Sequence, residues 1–170
     1  EEINSPSAES SPTYYNDGTL YFSSLNSKAP VTLDGQEGEY HAKLYSASRL
    51  PSGDFGKPVA LEEAINRIDF FNTGVSFSQD GERMYFTREK YTNNGVNNAQ
   101  IYMSKRAGDK WGTPYPVEAL NNEYKSRHPV EGELFGQKVL YYISDMPGGF
   151  GGYDIYYSPI SGENYGIPVN

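Results

Sequence analysis

Apolar residues in this chain fall in short consecutive runs and show almost no helical spacing. Three runs stand out: "LYFSS" (Leu20–Ser24), "MYFTR" (Met84–Arg88) and "LYYIS" (Leu140–Ser144). Apolar side chains at successive positions suit a strand whose sheet is covered on both faces. Each run is followed by a second apolar stretch that ends in Ser: "KLYS" (Lys43–Ser46), "QIYMS" (Gln100–Ser104) and "DIYYS" (Asp154–Ser158). Each is preceded by a further short strand, "PTYY" from Pro12, "VSFS" from Val75 and "PVEG" from Pro129. The turns between these first two strands are "NDG" at Asn16, "QDG" at Gln79 and a less regular "LFGQK" at Leu134. Asp-Gly favours a tight hairpin because the central turn residues need positive φ.

A fourth element completes the pattern. An aromatic-Gly-x-Pro motif starts at Phe55, Trp111 and Tyr165, at intervals of 56 and 54 residues. A small-Gly-acidic turn stands before each copy, at Ser52, Ala107 and Ser161. The Pro has no backbone donor, so it belongs on an outer edge strand, with the preceding ring packed across the sheet. Strands, turns and interval together predict an all-β chain: a β-propeller repeat of three four-stranded antiparallel blades. The blades span about 8–61, 72–120 and 126–170, one propeller segment over residues 1–170. A β-sandwich with three internal repeats fits the near-identical turn order less well.

Composition adds exclusions. The apolar payload rests on 16 Tyr and 8 Phe, and 18 Gly with 11 Pro supply the turns that short strands need. A formal charge of −8 repels phosphate backbones and anionic lipid, which disfavours nucleic acid as a partner. No apolar run approaches the length of a membrane span. The absence of Cys removes disulfides and thiolate metal sites and leaves the compartment open. The opening "EEINSPSAES" reads as the interior of a longer precursor.

Loop length selects one rim of the blades. The turns joining first to second and third to fourth strands are short. The others are long: Leu25 to Ala42, Glu89 to Ala99 and Asp145 to Tyr153, with linkers Leu61 to Gly74 and Leu120 to His128. Long loops on a rigid scaffold are where binding residues gather. The candidates for an interaction face are Tyr40, His41, Tyr91, Arg127, His128, Asp145, Phe150 and Asp154. Each has a plainer reading. The histidines lie far apart with no nucleophile at a recognisable spacing, so they read as exposed or hydrogen-bonded loop residues. Arg127 could line the channel or pair with a carboxylate. Asp145 and Asp154 could bind Ca²⁺, or cap their loop by accepting backbone N–H groups. Phe150, Tyr91 and Tyr40 could stack on a sugar or protein, or close over a blade core. "PGGFGG" (Pro147–Gly152) opens no helix and so reads as a turn of flexible backbone, not a phosphate loop. "LEEAIN", with Glu62 and Glu63, reads as the solvated first turn of a short helix. No catalytic, cofactor-binding or metal-ligating residue is assigned.

"SFSQDGERMYFT" and "SDMPGGFGGYDIYYS" resemble the WD-like, TolB-type propeller repeats of OmpA-family periplasmic proteins in Bacteroidetes-type bacteria, a family that includes type IX secretion components. All three copies take part. The first copy departs with "LNSKAPVTLDGQEGEYHA" and the second with "EKYTNNGVNNA" where the third has its Gly-rich loop. The resemblance implies a ring of about six blades, so this chain is about half of one. It also implies a periplasmic location at the outer membrane and protein partners in the cell envelope. Peptidoglycan binding would come only through domains absent here. On this basis the chain is expected to be a non-enzymatic interaction module without cofactors. The alternatives are a carbohydrate-binding or glycan-processing propeller, suggested by Tyr content and acidic loops, and the gating propeller of a peptidase. A glycosidase needs two facing carboxylates, for example Asp145 and Glu131 if they converge.

A half ring leaves one face of each end blade open. At ~330 Å² per face and ~25 cal/mol per Å², that forgoes about 8 kcal/mol. This is comparable to the stability of a whole domain. The ring is therefore expected to be completed by further sequence or by a second copy of the chain.

Overall fold

The computed structural model describes residues 3–25, 32–33, 36–37, 41–68, 70–92 and 95–170. The first sheet contains β1 (Glu9–Tyr14), β2 (Leu20–Ser24), β5 (Lys43–Ala47) and β6 (Val59–Ala60), in that order. A small ribbon of β3 (Thr32–Leu33) and β4 (Gln36–Glu37) sits in its long loop. The second sheet runs β7 (Phe71–Phe77), β8 (Arg83–Thr92), β9 (Gly95–Ala107), with β10 (Lys110–Trp111) and β11 (Tyr115–Pro116) both paired to β9. The third runs β12 (Ser126–Leu134), β13 (Gln137–Ser144), β14 (Asp154–Ser161) and β15 (Asn164–Tyr165). All named pairings are antiparallel, and the first strands β1, β7 and β12 are spatial neighbours on the inner side.

The consecutive apolar residues of the middle strands are explained by the stacking of these sheets. In β8, Met84 and Phe86 face the first sheet and join Tyr21, Leu44, Ile65, Val75 and Trp111. Tyr85, between them, faces the third sheet and joins Ile101, Met103, Leu120, Leu140 and Tyr156. Met84, Tyr85 and Phe86 are all 0% exposed. Full burial of such a side chain contributes about 2–3 kcal/mol, on whichever face it lies. Leu20, Phe22 and Ala47 form a third cluster on the far side of the first sheet, with Ile3, Tyr45 and Phe55 against it.

The repeat extends to backbone detail. Each inner strand carries a bulge at the same place, between Ser10 and Thr13, Thr73 and Ser76, and Arg127 and Val130. The left-handed residue there is Ser11 (φ 52°), Gly74 (φ 60°) or His128 (φ 51°). The aromatic-Gly-x-Pro motifs are likewise equivalent. The Gly N–H bonds the Ser48, Lys105 or Pro159 carbonyl at 2.9, 2.9 and 2.8 Å, and the outer strand resumes after the Pro at Val59, Tyr115 and Val169.

Three expectations are corrected. Residues 89–99 are no open loop: β8 and β9 run on through Glu89↔Ala99 and Lys90↔Asn98 to Thr92↔Gly95. In the sequence, the Asn-Asn-Gly of this stretch is itself a hairpin signal. "LEEAIN" forms a turn and no helix, with Ile65 and Asn66 N–H both on the Glu62 carbonyl, and its Asn66 side chain is bonded to Leu44 of β5. The serine of the first copy is out of step: Leu20 pairs Ala47 just as Met84 pairs Ser104 and Leu140 pairs Ser158. Ala47, not Ser46, is the counterpart, so the first sheet lacks the hydroxyl that ties Ser104 and Ser158 to the Gly112 and Gly166 carbonyls at 2.6 and 2.7 Å.

Candidate functional site at the loop rim

The inner strands begin at the rim that also carries the long loops and linkers. There the start of β12 meets the far half of β8. Arg127 Nε lies 3.1 Å from Glu89 Oε1, with side chains 22% and 8% exposed. The Arg127 guanidinium also sits 5.4 Å from the centre of the Tyr153 ring. His128 follows in the bulge: its N–H donates to Thr87 Oγ1 at 2.8 Å, and its ring lies against Gly74. Partial burial lowers the His128 pKa; Arg127 pushes it the same way and Glu89 opposes both. His128 is therefore neutral at pH 7 and can donate or accept a hydrogen bond. Tyr153 is 42% exposed, and Phe150, three residues earlier on the same Gly-rich loop, is 100% exposed.

The remaining candidates divide. Asp145 accepts the Lys125 N–H at 2.7 Å, which fixes the linker to the end of β13. Asp154 accepts the Gly151 N–H at 2.9 Å and holds the Gly-rich loop. Both carboxylates thus cap backbone. His41 does not belong on an exposed face: it is 1% exposed and stacks on Phe71 at 4.7 Å, because it stands just ahead of β5 where the first sheet packs on the second sheet's inner strand. Tyr40 and the Tyr91 side chain lie outside the described residues. Asp145 and Glu131 do not converge. Glu131 is held near the opposite rim by Arg83 at 3.4 Å, with Tyr85 Oη at 3.2 Å.

Two rim residues escape the sequence reading. Glu89 ends the apolar run of β8 and looks like an ordinary solvated charge, yet it is 6% exposed. Arg88 is 4% exposed: its Nη2 donates to the Ile65 and Ala64 carbonyls at 2.6 and 3.2 Å, its Nε donates to Asn72 Oδ1 at 3.0 Å, and Tyr102 lies 4.5 Å from its Cζ. The signal available was the "TREK" run at a strand end, where charge must be paired if the strand continues.

No family model and no curated protein matches the chain. Among solved structures, the crystal structure of a thermostable family-43 glycoside hydrolase matches with a TM-score of 0.51 at 18% identity. The match covers 93% of this chain and 52% of that one, so the chain spans about half that enzyme's length. The fold is a β-propeller. The expectation of a non-enzymatic module is corrected by this match, because a chain of the same fold is a glycoside hydrolase and the architecture gives no ground to exclude catalysis. Among the described residues, no helix is long and apolar enough to cross a membrane.

Proposed function

We propose that this propeller binds, and within a complete ring processes, a carbohydrate at its loop rim. The observation that carries the reading is the shared fold with a glycoside hydrolase. The rim supplies the chemistry a sugar needs. Phe150 and Tyr153 offer ring faces for the apolar side of a pyranose. Arg127, Glu89 and neutral His128 offer donors and acceptors for its hydroxyls. Hydrolysis needs a second carboxylate facing Glu89 across the sugar, and Asp145 is already committed to the Lys125 amide. Binding is accordingly the first property to measure.

Calorimetry against a panel of oligosaccharides, paired with a reducing-sugar assay, tests this. Binding of a defined sugar that is lost in Phe150→Ala and Arg127→Ala supports the proposal. Absence of binding across the panel by folded protein overturns it. The resemblance of residues 144–158 to OmpA-family repeats supports a cell-envelope setting, on the periplasmic side of the outer membrane, for both glycan and protein partners. Fractionation of source cells checks that location.

A further inference from the structure

Arg83, Arg88 and Arg127 all stand where one sheet meets the next, and the first two have committed their hydrogen bonds. Arg88 donates to the Ile65 and Ala64 carbonyls and to Asn72 Oδ1. Arg83 donates to the Gly162 carbonyl at 3.2 Å, and its partner Glu131 also accepts from Tyr85 Oη and from the Gln79 N–H at 3.4 Å. Arg127 differs. Its Nε lies 3.1 Å from Glu89 Oε1, yet that Nε makes no hydrogen bond among the described residues. The pair is balanced in charge and open in hydrogen bonding.

The repeat does not demand this pair. Ser10, Thr73 and Arg127 occupy one position of the inner strands, just ahead of the bulge. Two copies hold a short hydroxyl side chain there, so neither the strand nor its bulge needs a long cation. Both partners belong to the junction of the second and third sheets, so their pairing is independent of what adjoins the outer faces of the first and third.

A guanidinium presents five N–H donors and a carboxylate two acceptor oxygens. Neighbouring hydroxyls on one sugar ring, each donor and acceptor at once, match both. Opposite charges at this distance largely cancel for a third group. A carboxylate on the sugar would meet Glu89 as well as Arg127, and would lose its hydration without a free cation in exchange. His128, next in the strand, is neutral at pH 7 and adds no charge. The chain's formal charge of −8 also repels an acidic glycan.

We propose that the Arg127–Glu89 pair makes the rim selective for uncharged sugar residues over their uronates, each partner masking the other's charge while both bond hydroxyls. The inference rests on the carbohydrate reading and adds the substrate class and the two residues that set it.

Calorimetry of the 170-residue chain tests it with cellotetraose against tetraglucuronate, mannotetraose against tetramannuronate, and galactotetraose against tetragalacturonate, each of its partner's linkage. The neutral member should bind at least about tenfold tighter. Glu89→Gln keeps the shape and unmasks the cation, so it should shrink that preference at least about tenfold by strengthening the uronate. Arg127→Gln unmasks the carboxylate and should widen the preference. A merely structural pair would give no such opposite movement, since lost packing weakens both sugars alike; urea midpoints check that each variant is folded. Wild type that binds a uronate as tightly as its neutral partner, or variants that shift the preference in one direction, overturns the inference and leaves the carbohydrate reading standing. Folded protein that binds neither kind of sugar overturns both.

Discussion

The hydroxyls of Tyr85 and Tyr165 lie 2.9 Å apart across the junction of the second and third sheets. Tyr85 also meets Glu131 Oε2 at 3.2 Å, and that carboxylate, 2% exposed, lies 3.4 Å from Arg83 Nη2. Removing a partner from a buried carboxylate leaves its desolvation uncompensated. Tyr85→Phe should therefore cost about 1–3 kcal/mol in urea unfolding, and Tyr165→Phe about 1 kcal/mol, since Tyr85 then still serves Glu131. Equal costs for the two variants would contradict this order.

The buried tyrosines also set the alkaline limit of stability. Burial pushes the Tyr142 pKa up to about 12, and raises those of Tyr85, Tyr165 and Tyr21. Each is neutral in the folded state where the unfolded chain would already ionise. Their contribution is complete below the unfolded value of about 10 and is lost as pH rises through the folded values. The unfolding midpoint should therefore hold up to about pH 10 and drop steeply above it. A midpoint flat to pH 12 would mean these phenols are not buried.

The linker between the first two sheets makes a third case. Asn66 is 7% exposed and gives the Leu44 N–H its acceptor, while the Leu44 carbonyl is shared between Asn66 Nδ2 and the Leu61 N–H at 3.0 Å. Asn66→Ala should cost about 1–3 kcal/mol, because the buried Leu44 N–H loses its acceptor. Asn66→Asp keeps the acceptor but loses the donor and should fall between Ala and wild type. Urea midpoints of the three proteins decide the order.

Local turn chemistry explains why so much of the fold is legible in the sequence. Asp-Gly, small-Gly-acidic and aromatic-Gly-x-Pro each act through their own backbone, so they announce themselves where they stand. The side-chain bonds of Asn66 do not. Asn66 acts on a strand 22 residues earlier, and in sequence it looks like any loop residue. Glu89 and Arg127 are separated by a whole hairpin and linker, and only the packing of sheet on sheet brings them together. His41 belongs to the same class, since its burial depends on Phe71, thirty residues later and in the next sheet.

The inner-strand bulge yields opposite predictions at equivalent positions. Gly74 has φ 60°, and a Cβ there would sit 2.7 Å from His128 Nδ1. Gly74→Ala should be destabilising by about 2 kcal/mol or more and should displace the imidazole. Ser11 holds the same conformation at φ 52° with a side chain that pays a steric cost. Ser11→Gly should thus be neutral or stabilising by up to about 1 kcal/mol. Thermal unfolding of both variants checks the contrast. A destabilised Ser11→Gly would show that the hydroxyl, not the backbone, is needed there.

Arg127 ties the rim together, and its removal should be readable at His128. The guanidinium pairs with Glu89 and, with burial, depresses the His128 pKa below its ordinary value of about 6.5. His128 therefore adds stability above that value, which is lost as pH falls through its folded pKa. Arg127→Ala takes away a repelling cation and frees the carboxylate of Glu89 to attract the protonated ring. The His128 pKa should rise, measurable by NMR titration of its imidazole, while the unpaired Glu89 costs about 2–3 kcal/mol of stability. Arg127→Lys keeps the charge and should leave the His128 pKa low, but it loses the guanidinium over the Tyr153 ring. If sugar binds at this rim, affinity should then fall for Arg127→Lys although the titration is unchanged. That separation distinguishes a residue that recognises ligand from one that only balances charge.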